Sequence, residues 1–493
     1  MNFIDRVVGY VSPSAGFKRV RAREAMDQVR AYAAARDFRG RNDWKALGTG
    51  ANAEIGSSMV KTRNRVRQLV RDNGLAKRIV DLWALHLIGD GITVDFTGVG
   101  GAKKATKFDI WAGSTQCDAD GQLDYYGLQN LAARIMVEAG SSFIVKRVRS
   151  PKKYPHLTVP LQLQVLEPDF LHHDKNGTSE RGNPIIQGIE YFKDRPSVRA
   201  YYWMFTEHPG ETRTSIRSSI DSVAIPAENV IHMFRKDRSQ NHGITWLHAV
   251  VNRIRDLDDY IEALMMKAKI EACFTIMIEE DQDGVTPPGS PARKADNEFE
   301  LEPGMVRRLR KGDKAHAFDP SSSGSHAILL PAFIRLIASG VGLTYDQASS
   351  DLTGANYSSL RAGKMEFNQA VSQLQWLVVA PTVETVAKWF VEAGFRIDLW
   401  PSEEHTVEIT MPKTQFVDPK KDGAAEIQDM QGGLSTWADR VKSRGLNPRK
   451  HLKALKAEVD SFEKDGFAHP FAKPKQLNAP KPSKVSVIKD NEQ

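Results

Sequence analysis

Apolar positions recur along this chain with two periods, and the switch between them outlines its organisation. From Thr62 to Gly89, Val66, Leu69, Val70, Leu75, Ile79, Leu82 and Leu85 stand three or four residues apart, the spacing of one helical face. Asn73-Gly74 interrupts the stripe and predicts two helices with a turn between. Upstream, Arg21–Arg36 reads as helical and Gly48–Ser58 as a loop. Gly89-Asp90-Gly91 closes the second helix before a strand at Ile92–Phe96, and helices follow at Lys103–Trp111 and Tyr126–Ala139.

The texture then changes. Phe143–Val148, Leu161–Leu166, Ile185–Tyr191, Ala200–Phe205 and Val230–Phe234 are short β-rich runs between Gly, Pro and Asn turns, predicting a small β-rich subdomain over 142–234. Trp246–Ala272 returns to helical spacing. Leu247, Val250, Val251, Ile254, Leu257, Ile261, Leu264 and Met265 form its stripe, with Arg253, Asp256, Asp259 and Glu262 between them. Such a helix would be about 40 Å long. Its narrow stripe suits packing against copies of itself or a few neighbours.

Strand candidates at Phe274–Glu279 and Met305–Leu309 flank a Pro-containing polar insert, and a helix is expected at His326–Ser339. The run GVGLTYDQASSDLTGANYSS is too polar and Gly-punctuated for regular structure. Tyr357–Ala393 reads as one long helix kinked by Pro381. Helices at Lys420–Met430, Thr436–Ser443 and Arg449–Phe462 precede a Pro- and Lys-rich tail, residues 466–493, expected to be disordered.

With 41% apolar and 26% charged residues among 493, the chain can build a sizeable core. No apolar stretch reaches membrane-spanning length, so no membrane partner is expected. The N-terminal residues contain an acid and lack an apolar core, so they do not read as a secretory signal. Two distant cysteines, Cys117 and Cys273, exclude a disulfide framework and a Cys-based zinc module. The net charge is +7, yet residues 1–78 hold 17 Lys/Arg against 7 Asp/Glu. This basic segment, residues 1–60 being read as a partly flexible arm, suggests either an acidic partner or a solubilising face.

Catalytic patterns fail on inspection. Gly98–Lys103 and Ala362-Gly363-Lys364 lack the spacing of a phosphate loop. Asp118, Asp120 and Asp124 place their glycine too early for a calcium loop and read as an inter-helix turn. His172-His173-Asp174 reads as a surface turn, Glu403-Glu404-His405 as an exposed loop, and the cysteines as buried small hydrophobes. No catalytic, cofactor or metal residue is assigned, and the reading is an assembly component rather than an enzyme.

Several stretches, in order, resemble the lambda-type portal proteins of tailed bacteriophages. They are residues 63–92, 111–143, 161–171, 188–210, 225–251, 334–367 and 416–448, and the most specific is the NYSSLR core of Asn356, Tyr357, Ser358, Ser359, Leu360 and Arg361. Arg235–Gly243 departs from the Pro-Gly-Gln-x-Arg-Gly run usual there.

The resemblance implies an α+β portal fold assembling as a homo-dodecameric ring at one capsid vertex. It implies a wing over 61–245 including the β-rich subdomain, a stem helix over 246–272, a clip over 273–325 and a second stem helix over 326–340. A tunnel loop over 341–356, the kinked helix with the rest of the wing over 357–430, and a crown over 431–465 would follow. The tunnel loop would offer Thr344, Tyr345, Asp346, Gln347, Asp351 and Asn356 to double-stranded DNA without sequence preference. The stem would carry Arg253, Asp256, Asp259 and Glu262. The clip, with Glu279, Glu280, Asp281, Arg293 and Lys294, would dock the terminase large subunit. Major capsid protein, scaffold and head-completion or neck proteins are further implied partners, with a location in the virion and, during assembly, the host cytoplasm. The alternatives are a DNA packaging or processing enzyme, which would need a phosphate loop and a carboxylate cluster, or a DNA-binding regulator using the basic arm.

Overall fold

The computed structural model describes residues 48–210, 221–272, 277–279, 307–309, 326–354, 356–413, 418–467 and 469–470. The chain divides into two units, 1–54 and 55–493. The helix expected at Arg21–Arg36 lies outside the described residues, as does the tail beyond 470.

The first helix, α1, spans Ala51–Asp72, so residues 51–58 are helical rather than looped. Their Ala, Ser and Asn content lacks the apolar stripe that would have announced a helix. Helix α2, Gly74–Ile88, starts where predicted because Asn73 is its N-cap, its side chain accepting the Ala76 amide over 2.9 Å. Strand β1 (Thr93–Thr97), helix α3 (Gly101–Ala112) and helix α4 (Tyr125–Ala139) follow. Asp124 caps α4 by accepting the Gly127 amide.

Two sheets make up the β-rich subdomain. One has the order β3 (Leu161–Leu166), β2 (Ser141–Val148), β9 (Val230–Phe234) and is antiparallel. The other runs β4 (Gly177–Thr178), β5 (Pro184–Ile186), β6 (Ile189–Tyr191), β7 (Arg199–Phe205), β8 (Ser222–Pro226). The single strand expected at Ile185–Tyr191 is thus a hairpin, turned at Gln187-Gly188, both at positive φ. Gly243 approaches the Gly140 carbonyl so closely that a Cβ there would lie 2.1 Å from the oxygen, a contact that requires glycine.

Helix α5 spans Val251–Ala272 and is shorter than the expected Trp246–Ala272. The Trp246 amide donates to the Val137 carbonyl instead, which holds residues 246–250 in turns against α4. Strands β10 (Met277–Glu279) and β11 (Arg307–Leu309) pair in parallel. Helix α6 is His326–Gly340 and contains Pro331. A five-residue helix, α7 (Tyr345–Ser349), lies inside the run read as irregular.

Helix α8 (Tyr357–Leu374) passes through a π-helical turn, Gln375–Val379, into α9 (Ala380–Phe395). The long helix is continuous through this wide turn, and Pro381 lies inside it, two residues past the turn's end. The Ala380 amide reaches back five residues to Gln375, so the shift in register falls just before the residue that has no donor. Strand β12 (Thr406–Thr410) returns to pair antiparallel with β1, a long-range partner that periodicity did not reveal. Helices α10 (Pro419–Gln431), α11 (Trp437–Ser443) and α12 (Pro448–Lys464) follow, each with an Asp, Thr or Asn N-cap. His469 is buried on Phe462, so ordered chain extends past the expected boundary at 465.

One apolar core runs through α2, β1, α3, α4, α9, the start of α5 and the second half of α8. Phe96, Phe108, Trp111, Tyr125, Phe390 and Trp400 form its aromatic centre. A second, smaller core lies within the β-rich subdomain.

Candidate functional site

Helix α5 begins inside the core and leaves it. Val251, Ile254 and Leu257 are buried, but the same stripe continues through Ile261, half-buried Leu264 and Met265, and Met265 is 54% exposed. On α6, Ile328 is 74% exposed and Leu329 and Leu336 are also uncovered. The charged positions lie on exposed flanks: Arg253, Asp256 and Glu262 face solvent, and Asp259 pairs with Arg255 at 2.8 Å. Each of the two helices thus leaves apolar side chains open in the single chain.

Between α6 and α8, residues 341–354 hold more local structure than their composition suggested. Trp83 Nε1 donates to the Val341 carbonyl over 3.0 Å, and Arg78 Nε donates to the Gln347 carbonyl over 2.7 Å. Thr344 and Gln347 form a capping box around the start of α7. Asp346 accepts the Thr344 hydroxyl over 3.2 Å. Tyr345 donates its hydroxyl to Asp351 over 2.8 Å, and the Arg335 guanidinium sits 4.8 Å from the Tyr345 ring centroid. Asp351 also accepts the amide and the hydroxyl of Thr353. These donors hold its carboxyl below the usual carboxylate range, the Thr353 hydroxyl contributing most. The same contact with Asp351 raises the Tyr345 phenol.

The sequence motif that follows is a helix start. Asn356 caps α8 by accepting the Ser359 amide over 2.8 Å, while Tyr357 and Ser358 are exposed. Arg361 reaches Asp422 on α10 at 3.3 Å and ties the start of α8 to the C-terminal helices. At the π-turn Leu377 is 66% exposed and Trp376 also projects, whereas Gln375 is buried. Of the expected clip residues, Glu279 lies on β10, and Glu280, Asp281, Arg293 and Lys294 lie outside the described residues.

The other candidate positions have structural partners. Asp118 accepts amides from Asp120, Gln122 and Leu123, which shapes the turn before α4. Lys103 and Lys104, next to the glycine run, donate to the carbonyls of Leu399 and Glu404. Cys117 is buried, and burial pushes its thiol up to about 12.

His173 lies in the expected turn, but its side chain is turned inward. It is half-buried, its Nε2 lying 2.7 Å from the Pro168 carbonyl and 3.5 Å from Arg63. Burial, with Arg63 adding to it, pushes it down to about 4. Beside it, Arg63 and Arg67 of α1 bind Asp169 at 3.0 and 2.6 Å, and Arg67 also binds Glu167 at 2.7 Å. Sequence reasoning missed this cluster because its members lie about a hundred residues apart. Glu167, Asp169 and His208 bring metal-capable atoms within 4.8 Å of one another, but the Arg67 guanidinium already stands between the two carboxylates. Among the described residues no helix is long and apolar enough to cross a membrane.

Residues 38–375 match the family described as phage portal protein, lambda family. A probable portal protein of Halomonas phage phiHAP-1 is 25% identical over 481 residues, covering 93% of this chain and 91% of that protein. Among solved structures, the neck of an empty gene transfer agent particle, computed with C6 symmetry, is similar at 16% identity and a TM-score of 0.42. It covers 79% of this chain and 94% of its own. A chain from the virion of the native gene transfer agent particle is similar at 16% identity and a TM-score of 0.43, covering 82% and 95%. The family match spans well over half of the sequence, and the chain belongs to the lambda family of phage portal proteins.

Proposed function

We propose that twelve copies of this chain close into a ring at one vertex of a phage capsid and form the conduit through which double-stranded DNA is packaged and later ejected. The ring would nucleate procapsid assembly, receive the terminase through the clip, residues 273–325, and join head-completion proteins once the head is full. Residues 341–356 would face the channel, α5 and α6 would form the stem, and residues 431–465, with α11 and α12, the crown.

The observation that carries this reading is the uncovered apolar stripe of α5 and α6. Large apolar patches on soluble chains mark contact surfaces. Two different faces joined head to tail form a ring when the rotation closes.

Averaged electron micrographs of the purified chain test it. The expected result is a ring with a central hole, about 660 kDa for twelve copies of a 55.0 kDa chain. A compact single subunit that persists at high concentration would overturn the reading.

A further inference from the structure

The acids of the channel segment would make rings of negative charge if they pointed at the duplex. The structure engages both in hydrogen bonds within the segment. Asp346 lies in the first turn of α7 and takes the Thr344 hydroxyl. Asp351 is half-buried and engaged by Tyr345 and twice by Thr353, while Ser349 Oγ accepts its own amide over 3.1 Å. Arg335 stacks on the same tyrosine and lies close enough to stabilise the carboxylate. The next residue, Leu352, is 63% exposed, followed by exposed Thr353 and Gly354. The turn is pinned at both ends, by Ser350 in the left-handed region at φ 60° closing α7 and by the Asn356 cap opening α8.

Resting on the portal reading above, we propose that Leu352 is the side chain this segment presents to DNA, an uncharged apolar tip, and that Asp351 is a positioning residue that aims it. A duplex carries a phosphate charge about every 1.7 Å along its axis, so a cation at this point would bind it in a salt-dependent way. An acid would repel it. Leucine does neither, and a ring of such tips contacts the passing duplex without holding it. Tyr345 and Thr353 are neutral donors that leave Asp351 ionised, and its role is to fix the turn that carries Leu352.

The test uses particles assembled with the full-length chain, with rings counted by electron microscopy before DNA content is measured. With Leu352→Lys, the yield of DNA-filled particles should fall about tenfold at low salt and recover as salt rises, whereas Leu352→Ser should stay within about twofold of the parent. A photo-crosslinking residue at position 352 should capture DNA in filled particles, and one at position 346 should not. Tyr345→Phe should lower the crosslink yield at 352 while ring number and melting temperature stay unchanged, which a purely structural role would not produce. Normal filling of Leu352→Lys at every salt, or capture at 346 in place of 352, overturns the proposal and leaves the portal reading standing. Absence of rings from the unaltered chain would instead remove the portal reading. If Leu352→Lys fails to assemble, the crosslinking comparison decides alone.

Discussion

The side-chain amide of Gln375 lies 3.0 Å from the Leu87 carbonyl and donates to it from inside the π-turn, joining the middle of the long α8–α9 helix to the end of α2. The last carbonyls of any helix lack intrahelical donors. Here the wide turn brings a buried glutamine to two of them, since the His86 carbonyl is 3.2 Å from the same nitrogen.

Gln375→Leu should therefore leave buried carbonyls unpaired and cost about 1–3 kcal/mol. Denaturant unfolding of the purified chain measures this. An unchanged midpoint would show that water or a rearranged side chain replaces the amide.

The joint between α1 and the β-rich subdomain is ionic. The side chains of Arg63 and Asp169 are 4% and 13% exposed. Asp169→Ala should strand the buried Arg63 guanidinium, leave Arg67 with Glu167 alone and destabilise the chain by about 3–5 kcal/mol. Glu167→Ala, at the wetter edge of the same cluster, should cost less than about 1 kcal/mol. Equal losses from the two variants would contradict the buried placement of Asp169.

Acid should loosen the same region. Burial pushes His173 down to about 4 and His242 down to about 3, and it pushes His232, stacked between Phe143 and Phe234, well below its ordinary value. Neighbouring Arg63 and Arg199 add to the effect, while Asp169 opposes it at His173. A base whose folded pKa is depressed leaves the unfolded chain binding more protons, so stability is complete above about pH 6.5 and falls as pH drops toward the folded values. The melting temperature should decline from pH 6.5 to 4, and His242→Gln should flatten that decline. A normal imidazole titration near 6.5 for His242, followed by nuclear magnetic resonance, would rule it out.

Met265→Asp replaces an exposed residue of α5, so the single chain should keep its stability within about 0.5 kcal/mol. Ring formation should weaken, because each copy would then bury an unpaired carboxylate at its contact. Sedimentation velocity reads the loss as a shift from ring to free subunit. Unaltered ring content would place the contact elsewhere, with exposed Trp376 and Leu377 as the next surface to alter.

Local chemistry was legible where it acts over a few residues. The α1–α2 break at Asn73, the turn around Asp124, the edges of β3 and β9 and the three C-terminal helices all follow from periodicity and turn-forming side chains. Residues 51–58 and α7 were missed for the complementary reason. Neither carries an apolar stripe, and α7 is secured by a capping box and by Arg78, a residue far away in sequence.

The order of the segments and their short motifs were enough to indicate the family, because those are properties of the chain written in one dimension. Which side chains of residues 341–356 face outward was not. An acid reads the same in a sequence whether it meets solvent or a tyrosine hydroxyl. The pairing of Tyr345 with Asp351, the seat of Gln375 beneath α2, the return of β12 to β1 and the gathering of Arg63, Asp169 and His173 each depend on bringing distant backbone together. Periodicity fixes which face of an element is apolar, but only packing decides what that face, and the polar groups around it, will meet.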